Sequence, residues 1–349
     1  MIQPTRDSLL DALRGAAALG VVAIHTAFHS GDSYVPAWFQ SLTLLWDVPL
    51  FFVLAGWSAS FRPGRMDKTL KSLALTWCKW ALFVLLLALV SAVAGLSGVS
   101  GARDLFQNLF FHTSFWSFPS VGYSVWFLPV YFRVSLLGQL ALYLLGSRRG
   151  PRAYKLLAGT LAFLYLAMNA NSSLLPGLSQ MDGFYALLWC VGLLIGCCDW
   201  KLSSWKAVLA LCALAAAGWY VSARMLQTGY ALQQSKFPPQ LPYLFASLPA
   251  IGVALLLRGR KEPVQSRLLV HIGQNALFYY FAQGVGSSAL YCLKPLLPFQ
   301  NWFVCWLCLL AANLAITALV AEALARLYRL AERAALGLWR RRPGRKGED

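Results

Sequence analysis

The sequence predicts an all-α, polytopic integral membrane protein with about ten transmembrane helices. Of its 349 residues, 58% are hydrophobic and only 12% are charged, and the mean hydropathy is +0.57. Soluble domains carry about 25% charged residues. The shortage of charge extends over most of the chain, and many apolar runs approach the ~20 residues that a helix needs to cross a bilayer. A multi-pass membrane protein is therefore expected.

Ten apolar runs define the expected spans. In chain order they cover residues 9–28, 42–61, 70–94, 124–145, 154–168, 184–198, 205–225, 241–257, 268–290 and 302–324. Asp7, Asp11 and Arg14 precede the most apolar part of the first run, and no small-residue cleavage site follows it. These features favour a retained first span over a cleaved signal peptide.

The net charge is +17, and the lysine and arginine residues are concentrated in alternate loops. This distribution indicates how the chain is oriented in the membrane. The rich loops carry Arg62, Arg65, Lys68 and Lys71; Arg148, Arg149, Arg152 and Lys155; Lys201 and Lys206; and Arg258, Arg260, Lys261 and Arg267. Each opposite loop carries at most one such residue. The positive-inside rule predicts that both termini are cytoplasmic. The expected location is the inner, cytoplasmic membrane. No nucleic-acid partner is expected, because the clusters lie between apolar runs.

The C-terminal segment combines arginines with apolar side chains. Leu327, Leu330, Leu336 and Trp339 lie among arginines within residues 326–342. This pattern predicts a helix at the membrane surface, in contact with anionic lipid. A positively charged stop signal after the last span is the alternative. We accordingly divide the chain into a transmembrane domain, residues 1–325, and a basic cytoplasmic helix and tail, residues 326–349.

Cysteine and histidine spacing gives no strong metal or redox signal. The eight cysteines lie within or beside apolar runs, where thiols behave as small apolar groups. The motif Cys305-x-x-Cys308 has redox spacing, but its span contains no histidine or second cysteine pair. His25 and His29 are spaced like metal ligands, yet only Asp32 and Asp47 are further candidates nearby. No metal cofactor is expected.

Two polar residues share one face of the first span. Arg14 and His25 are eleven positions apart, which corresponds to three helical turns with a remainder of roughly 20° and a rise of about 16 Å. A charged residue inside a membrane helix costs about 2.5–3.5 kcal/mol and usually faces protein or a wet cavity. Asp11 is positioned to pair with Arg14 across one helical turn.

Two interpretations of this arrangement are possible. In a structural interpretation, Arg14 and Asp11 form a buried ion pair and His25 is a hydrogen-bonded core residue. In a functional interpretation, Arg14 binds an anionic substrate that enters from the cytoplasm. His25, whose imidazole titrates near neutral pH, then acts as a general base. Because both residues lie within a membrane span, the functional interpretation is favoured.

Four motifs in chain order carry a resemblance to a known family. They are Arg14-x10-His25, Val48-Pro-Leu-Phe-Phe-Val-Leu-Ala-Gly56-Trp, Ser124-Val-Trp126-Phe-Leu and Ile272-Gly273-Gln-Asn275-Ala-Leu277-Phe-Tyr-Tyr280. With the ten expected spans and the length, they resemble the acyltransferase 3 family of integral membrane acyltransferases over the full chain. The sequence departs from the family pattern in a few positions. Ala55 and Ala276 replace usual serines, Gln283 stands where a histidine often follows, and Lys68 and Lys71 replace a frequent arginine pair.

The resemblance implies acyl transfer, often of acetyl, from cytoplasmic acetyl-CoA or another acyl-CoA. The implied acceptor is a hydroxyl of a cell-envelope glycan or a lipid-linked sugar. His25 then deprotonates the acceptor hydroxyl or briefly carries the acyl group, and the sequence does not choose between these roles. Arg14, held by Asp11, is expected to bind the donor at the cavity entrance.

Further site residues follow from the same resemblance, each with a structural alternative. Lys68, Lys71 and Arg65, together with Arg62, are expected to attract the phosphates of coenzyme A, whereas membrane orientation alone also explains them. Trp126 is expected to line a sugar or donor channel, or to pack at the membrane interface. Asn275 is expected to orient substrate, or to join two helices.

Other functions and other polar residues stay open at this stage. A transporter or flippase is the main rival function, in which Arg14 and His25 bind an anion or relay protons. Asp47 is placed either to orient a histidine or to cap the helix that begins near Pro49. The roles of His29, Arg133, Arg224 and Glu322 are not assigned.

Overall fold

The computed structural model describes residues 7–30, 34–96, 101–112, 117–171, 179–260 and 266–340, with backbone alone for 336–340. Asp32, Lys261 and residues 341–349, which entered the sequence predictions, lie outside this part. The described residues form helices and no strands, so the predicted all-α class is confirmed. The α-helices are α1 (Ser8–Phe28), α2 (Ala37–Thr43), α3 (Pro49–Ser60), α4 (Met66–Val93), α5 (Ala102–Leu109), α6 (Pro119–Ser124), α7 (Phe127–Leu145), α8 (Pro151–Ala170), α9 (Gln180–Cys197), α10 (Trp205–Met225), α11 (Leu241–Arg258), α12 (Arg267–Gln274), α13 (Ala276–Leu293) and α14 (Trp302–Arg340).

Nine helical segments in the described part are long and apolar enough to cross a membrane. Two of them join a pair of helices, α2 with α3 over Ala37–Ser60 and α6 with α7 over Pro119–Arg148. The remaining predicted run, residues 268–290, is divided into α12 and α13 at Asn275. The chain is therefore a polytopic, multi-pass membrane protein, as the apolar runs predicted.

The division at Asn275 has a local cause. Its side-chain Nδ2 donates a hydrogen bond to the carbonyl oxygen of His271, at 3.0 Å. Its backbone N–H is shared between the carbonyl oxygens of His271 and Ile272. Asparagine side chains that bond the neighbouring backbone compete with regular helix geometry. The resulting break brings Gln274 and Ala276 to the wall of the cavity described below.

Glycines bring two pairs of helices into backbone contact. A β-carbon on Gly273 of α12 would overlap the carbonyl oxygen of Asp11 in α1, and one on Gly15 would overlap that of Leu269. Gly56 of α3 and Gly192 of α9 are related in the same way, with carbonyls of the opposite helix. Small residues allow such close approach between membrane helices. These crossings fix α1 and α3, which carry the first two of the four motifs.

A buried polar network joins the far half of α1 to α13 and α14. Asn313 Nδ2 donates hydrogen bonds to Thr26 Oγ1 at 2.9 Å and to Ser287 Oγ at 3.0 Å. Thr317 Oγ1 donates to Asn313 Oδ1 at 3.1 Å. Because these bonds form in an apolar environment and involve three helices, they fix the rotation of α1 beside His25.

The last helix is continuous well beyond the predicted end of its span. α14 contains 39 residues, which corresponds to about 58 Å and exceeds the ~30 Å hydrocarbon core. It passes residues 325 and 326 without a break. The basic segment therefore prolongs the last span as far as Arg340, and the division of the chain at 325/326 stays a prediction.

Candidate active site

A cavity of about 510 Å³ lies where α1, α3, α4, α7 and the α12–α13 break meet. It lies on the side of the molecule where the arginine- and lysine-rich loops are found, which we call the basic side. Its cationic lining residues are Arg14, Arg62, Arg65, Lys68 and Lys79. Within the described ranges, no Asp or Glu side chain lines it. Such a one-sign lining concentrates anions.

Arg14 is held in this cavity by two helices. Its Nη1 lies 3.2 Å from Asp11 Oδ1, and its Nη2 donates a hydrogen bond to Ser58 Oγ of α3 at 2.9 Å. The Asp11 side chain is only 1% exposed, whereas that of Arg14 is 28% exposed. Asp11 does not line the cavity, and it orients Arg14 from the protein interior. The guanidinium thus keeps part of its donor surface for a ligand.

The basic start of α4 contributes unequally to the cavity. Arg65 and Lys68 line it, but Lys71 does not. Arg65 forms two 2.9 Å hydrogen bonds with Asp67, which offsets part of its charge. Lys79, about three helical turns beyond Lys68 in α4, also lines the cavity and was not predicted. A lysine inside an apolar span usually faces protein or a water-filled cavity, so the position of Lys79 in the sequence could have indicated its place in the site.

A second polar cluster lies at the opposite end of α1. The rings of His25 and His29 are 4.8 Å apart between centroids, and His29 stacks on Tyr123 at 5.2 Å. Among the residues that the structure describes, His25 Nδ1 is buried and has no hydrogen-bond partner. Lys236 interacts electrostatically with both imidazoles. Burial, with a smaller contribution from Lys236, lowers the pKa of His29 to about 4, so this ring is neutral at physiological pH.

Asp47 is paired with Lys236 in the same cluster. Asp47 Oδ2 accepts hydrogen bonds from Lys236 Nζ and from the Tyr243 hydroxyl, both at 2.6 Å. Its Oδ1 accepts from the backbone N–H of Val48 at 2.7 Å, next to the start of α3. The Asp47 and Lys236 side chains are 2% and 9% exposed. In the sequence, Lys236 is the lone cation of its loop, and this pairing was not predicted.

The cavity and the histidine cluster meet at two adjacent aromatic residues. Phe127 lines the cavity, whereas its neighbour Trp126 does not. The Trp126 ring lies 5.8 Å from Lys236 Nζ and 5.0 Å from the Phe237 ring. His25 is likewise absent from the cavity lining. Arg14 and His25 therefore lie in two neighbouring sites, and Trp126 belongs to the site of His25.

The other polar residues of the spans mostly have partners of their own. Arg133 forms a bidentate ion pair with Asp182, with distances of 2.9–3.1 Å. Glu322 lies 2.6 Å from His271 Nε2 and accepts a hydrogen bond from Tyr279. Asn275 does not line the cavity, although both its neighbours do. No group of three or more His, Cys, Asp or Glu side chains within the described residues is arranged to hold a metal ion.

Fold and cavity together define a multi-pass membrane protein with a cation-lined, anion-attracting cavity on one side. A family model described as an acyltransferase domain matches residues 7–322, nearly the whole chain. The chain therefore belongs to the acyltransferase 3 family, and it is a membrane acyltransferase. Comparisons with curated proteins and with solved structures found no match.

Proposed function

We propose that this protein is an O-acyltransferase that moves an acyl group, most simply acetyl, from cytoplasmic acyl-CoA to a hydroxyl of an envelope glycan or a lipid-linked sugar. The cation-lined cavity that contains Arg14 carries this proposal. Coenzyme A is anionic at its nucleotide end and has a long, thin pantetheine arm. A cavity with cations and, among the residues that the structure describes, no lining carboxylate matches such a donor in a chain of this family.

The donor would bind with its phosphates near the mouth of the cavity. Arg62 and Lys68 provide charge there, and Arg14 provides an oriented guanidinium further along α1. The pantetheine arm would follow the cavity toward Phe127. To deliver its thioester to His25, the arm must pass the aromatic pair Trp126 and Phe127.

The acceptor would bind in the second cluster. Trp126 and Phe237 offer aromatic faces of the kind against which sugar rings pack, and Lys236 offers a positive charge beside His25. The unpartnered Nδ1 of His25 supports a role in proton transfer, because no described residue occupies it.

The chemistry balances in either of two forms. With His25 as general base, imidazole takes the hydroxyl proton, the oxygen attacks the thioester carbonyl carbon, and the C–S bond breaks. The proton then passes to the leaving thiolate of coenzyme A. With His25 as acyl carrier, an imidazole nitrogen attacks the thioester carbonyl carbon first and expels the thiolate. The acceptor oxygen then attacks the same carbon, the C–N bond to the ring breaks, and the hydroxyl proton passes to the freed nitrogen and on to the thiolate.

Replacing His25 tests the proposal. The purified protein is given acetyl-CoA labelled in the acetyl group and an envelope glycan fraction, and the loss of thioester and the labelled glycan are measured. We expect His25→Gln to reduce both at least ~100-fold, in line with the 10²–10⁴-fold effect of a positioned proton acceptor. Donor affinity should stay unchanged, since His25 does not line the cavity.

His112→Gln is the matched control, because His112 is exposed and its imidazole lies against the Phe110 carbonyl oxygen, at 3.1 Å, away from both clusters. An unchanged rate in His25→Gln would refute the role of His25. Movement of an anion or a lipid-linked sugar across the membrane without loss of thioester would instead identify a transporter or flippase. Labelled protein in the absence of acceptor would select the acyl-carrier form.

A further inference from the structure

Gln139 is a buried polar side chain within the apolar helix α7. It is 6% exposed, and it lines the cation-lined cavity. Its Oε1 accepts a hydrogen bond of 2.8 Å from the backbone N–H of Gly64, which lies 75 positions away in sequence. A buried amide is costly unless it is hydrogen-bonded. The bond of Gln139 joins α7 to residues 61–65, which connect α3 to α4 and which we call the α3–α4 loop.

Gly64 lies directly against the end of α7. Its φ angle of +73° is in the left-handed region that favours glycine. A β-carbon at this position would lie 3.2 Å from the carbonyl oxygen of Leu142 and 2.9 Å from Nη1 of Arg149. The α3–α4 loop therefore rests on the α7 backbone, and a larger residue than glycine would push it away.

Arg149 forms a second bond to the same loop. Its Nη1 donates to the carbonyl oxygen of Pro63, and its Nε donates to the carbonyl oxygen of Gly146, both at 2.6 Å. The Pro63 carbonyl and the Gly64 N–H belong to one peptide unit. Gln139 and Arg149 thus hold the two polar groups of this peptide unit from different sides and fix its orientation.

The fixed peptide unit lies between cations of the cavity. Arg62 precedes it, Arg65 and Lys68 follow it, and all three side chains are exposed and line the cavity. Long cationic side chains lose rotamer freedom when they bind an anion. A fixed backbone confines this cost to the side chains themselves, which is how preorganisation increases affinity.

From this arrangement we infer that Gln139 is a positioning residue for the acyl donor. Together with Arg149, it holds the α3–α4 loop in the place from which the loop cations reach the donor's phosphates. This inference rests on the proposed function and adds a residue of α7 to donor recognition. Gln139 acts through the loop and not by contact with the phosphates, so its effect depends on the attraction between cations and phosphates.

Hydrogen exchange of the full chain in detergent, measured by mass spectrometry, tests the bond itself. Gly64 is buried and its N–H is bonded, so this amide should exchange slowly in the wild type. Gln139→Met has a side chain of similar length but no strong acceptor. We expect it to speed up exchange in a peptide that covers residues 61–66 about three- to tenfold, as for the loss of one hydrogen bond. An unchanged exchange rate would refute the positioning role.

The affinity for coenzyme A at two salt concentrations tests the consequence of the bond. The Debye length falls from about 10 Å at 0.1 M salt to about 3 Å at 1 M, so exposed cations attract phosphates less at the higher concentration. We expect Gln139→Met to bind coenzyme A about three- to tenfold more weakly than the wild type at ~0.1 M and almost equally at ~1 M. A merely structural role would weaken binding by the same factor at both concentrations, and this result would overturn the inference.

Arg149→Met and Arg148→Met are a matched pair of variants for the second bond. Each removes one exposed positive charge after α7, but in the described part of the chain only Arg149 donates to the α3–α4 loop. We expect Arg149→Met to resemble Gln139→Met in affinity and in salt dependence, and Arg148→Met to bind as the wild type does. Equal weakening in Arg149→Met and Arg148→Met would show an effect of net charge alone and would contradict the inference.

The wild type separates this inference from the proposed function. If the wild type binds coenzyme A and Gln139→Met binds it equally well at ~0.1 M salt, the positioning role is refuted while the donor cavity stays supported. If the wild type binds no coenzyme A at either salt concentration, the assignment of the donor is refuted, and with it the positioning role. Faster exchange in Gln139→Met would then identify the bond to Gly64 as a structural contact only.

Discussion

The surroundings of Arg14 combine a local contact with a distant one. Its pairing with Asp11 follows from a spacing of three residues on one helix, and the sequence was sufficient to predict it. Its bond to Ser58 joins positions 44 apart in sequence and depends on how α1 packs on α3. The same holds for His25, whose neighbour His29 was visible from spacing, whereas Lys236 comes from a distant loop. Helical periodicity predicts contacts between residues of one helix, but not contacts between segments that are distant in sequence.

The buried pair of Asp47 and Lys236 leads to a prediction at the residue scale. Lys236→Met leaves the Asp47 carboxylate buried without its counter-ion, although Tyr243 and the Val48 N–H still donate to it. We expect the free energy of unfolding to fall by about 3–5 kcal/mol, as for other broken buried pairs. Unfolding in detergent, followed by tryptophan fluorescence, measures the loss.

Lys201→Met serves as the control because it breaks an exposed pair with Asp199. Exposed pairs contribute little to stability, so its transition should coincide with that of the wild type. If Lys236→Met were as stable as Lys201→Met, the ion pair would not be the main support of this cluster.

At the scale of the elements, the apolar runs located the helices well, but they did not predict the break within the predicted span 268–290. Its cause, a side-chain bond from Asn275 to the His271 carbonyl, is invisible to a hydropathy pattern. In the sequence, Gly56 and Gly273 were noted only as parts of the motifs that resemble the family. The structure shows that both glycines allow close contact between helices. The arginine and leucine residues after the last span predicted a helix at the membrane surface, whereas α14 continues through them without a break as far as Arg340.

A substitution at the crossing of α1 and α12 tests its role. The added methyl group of Gly273→Ala would overlap the Asp11 carbonyl oxygen and push α12 away from α1. We expect a loss of about 1–3 kcal/mol in stability, typical of overpacking, together with weaker donor binding, because Asp11 orients Arg14. Thermal unfolding and coenzyme A titration report the two effects.

Gly159→Ala in α8 adds the same methyl group where no atom lies within 4 Å. It should be neutral or slightly stabilising, since alanine favours helix over glycine. An equal response of Gly273→Ala and Gly159→Ala would mean that the α1–α12 contact is not tight.

For the whole molecule, charge and hydropathy predicted a multi-pass protein with one basic side, and the position of the cation-lined cavity agrees with that asymmetry. The cavity itself could not be predicted, because its walls come from helices that are distant in sequence. The neighbouring positions of the Arg14 and His25 sites, separated by Trp126 and Phe127, likewise depend on the packing of several helices.

The basic side predicts where the donor must be supplied. Acetyl-CoA is charged and does not cross hydrocarbon, so only the face that carries Arg62 and Lys68 should use it. Inverted membrane vesicles should consume external acetyl-CoA at least about tenfold faster than right-side-out vesicles, and detergent should remove the difference. Similar rates in both intact preparations would contradict the predicted orientation.

The most direct test of the central claim is the affinity of the purified protein for coenzyme A, measured by calorimetric titration in detergent. Arg14→Gln removes the guanidinium from the cavity and should weaken binding by about 10- to 100-fold, the effect of a lost charged hydrogen bond. Arg224→Gln, at an exposed position outside the cavity lining, should bind as the wild type does. Equal affinity of Arg14→Gln and the wild type, or no binding by the wild type, would contradict the assignment of this cavity to the acyl donor.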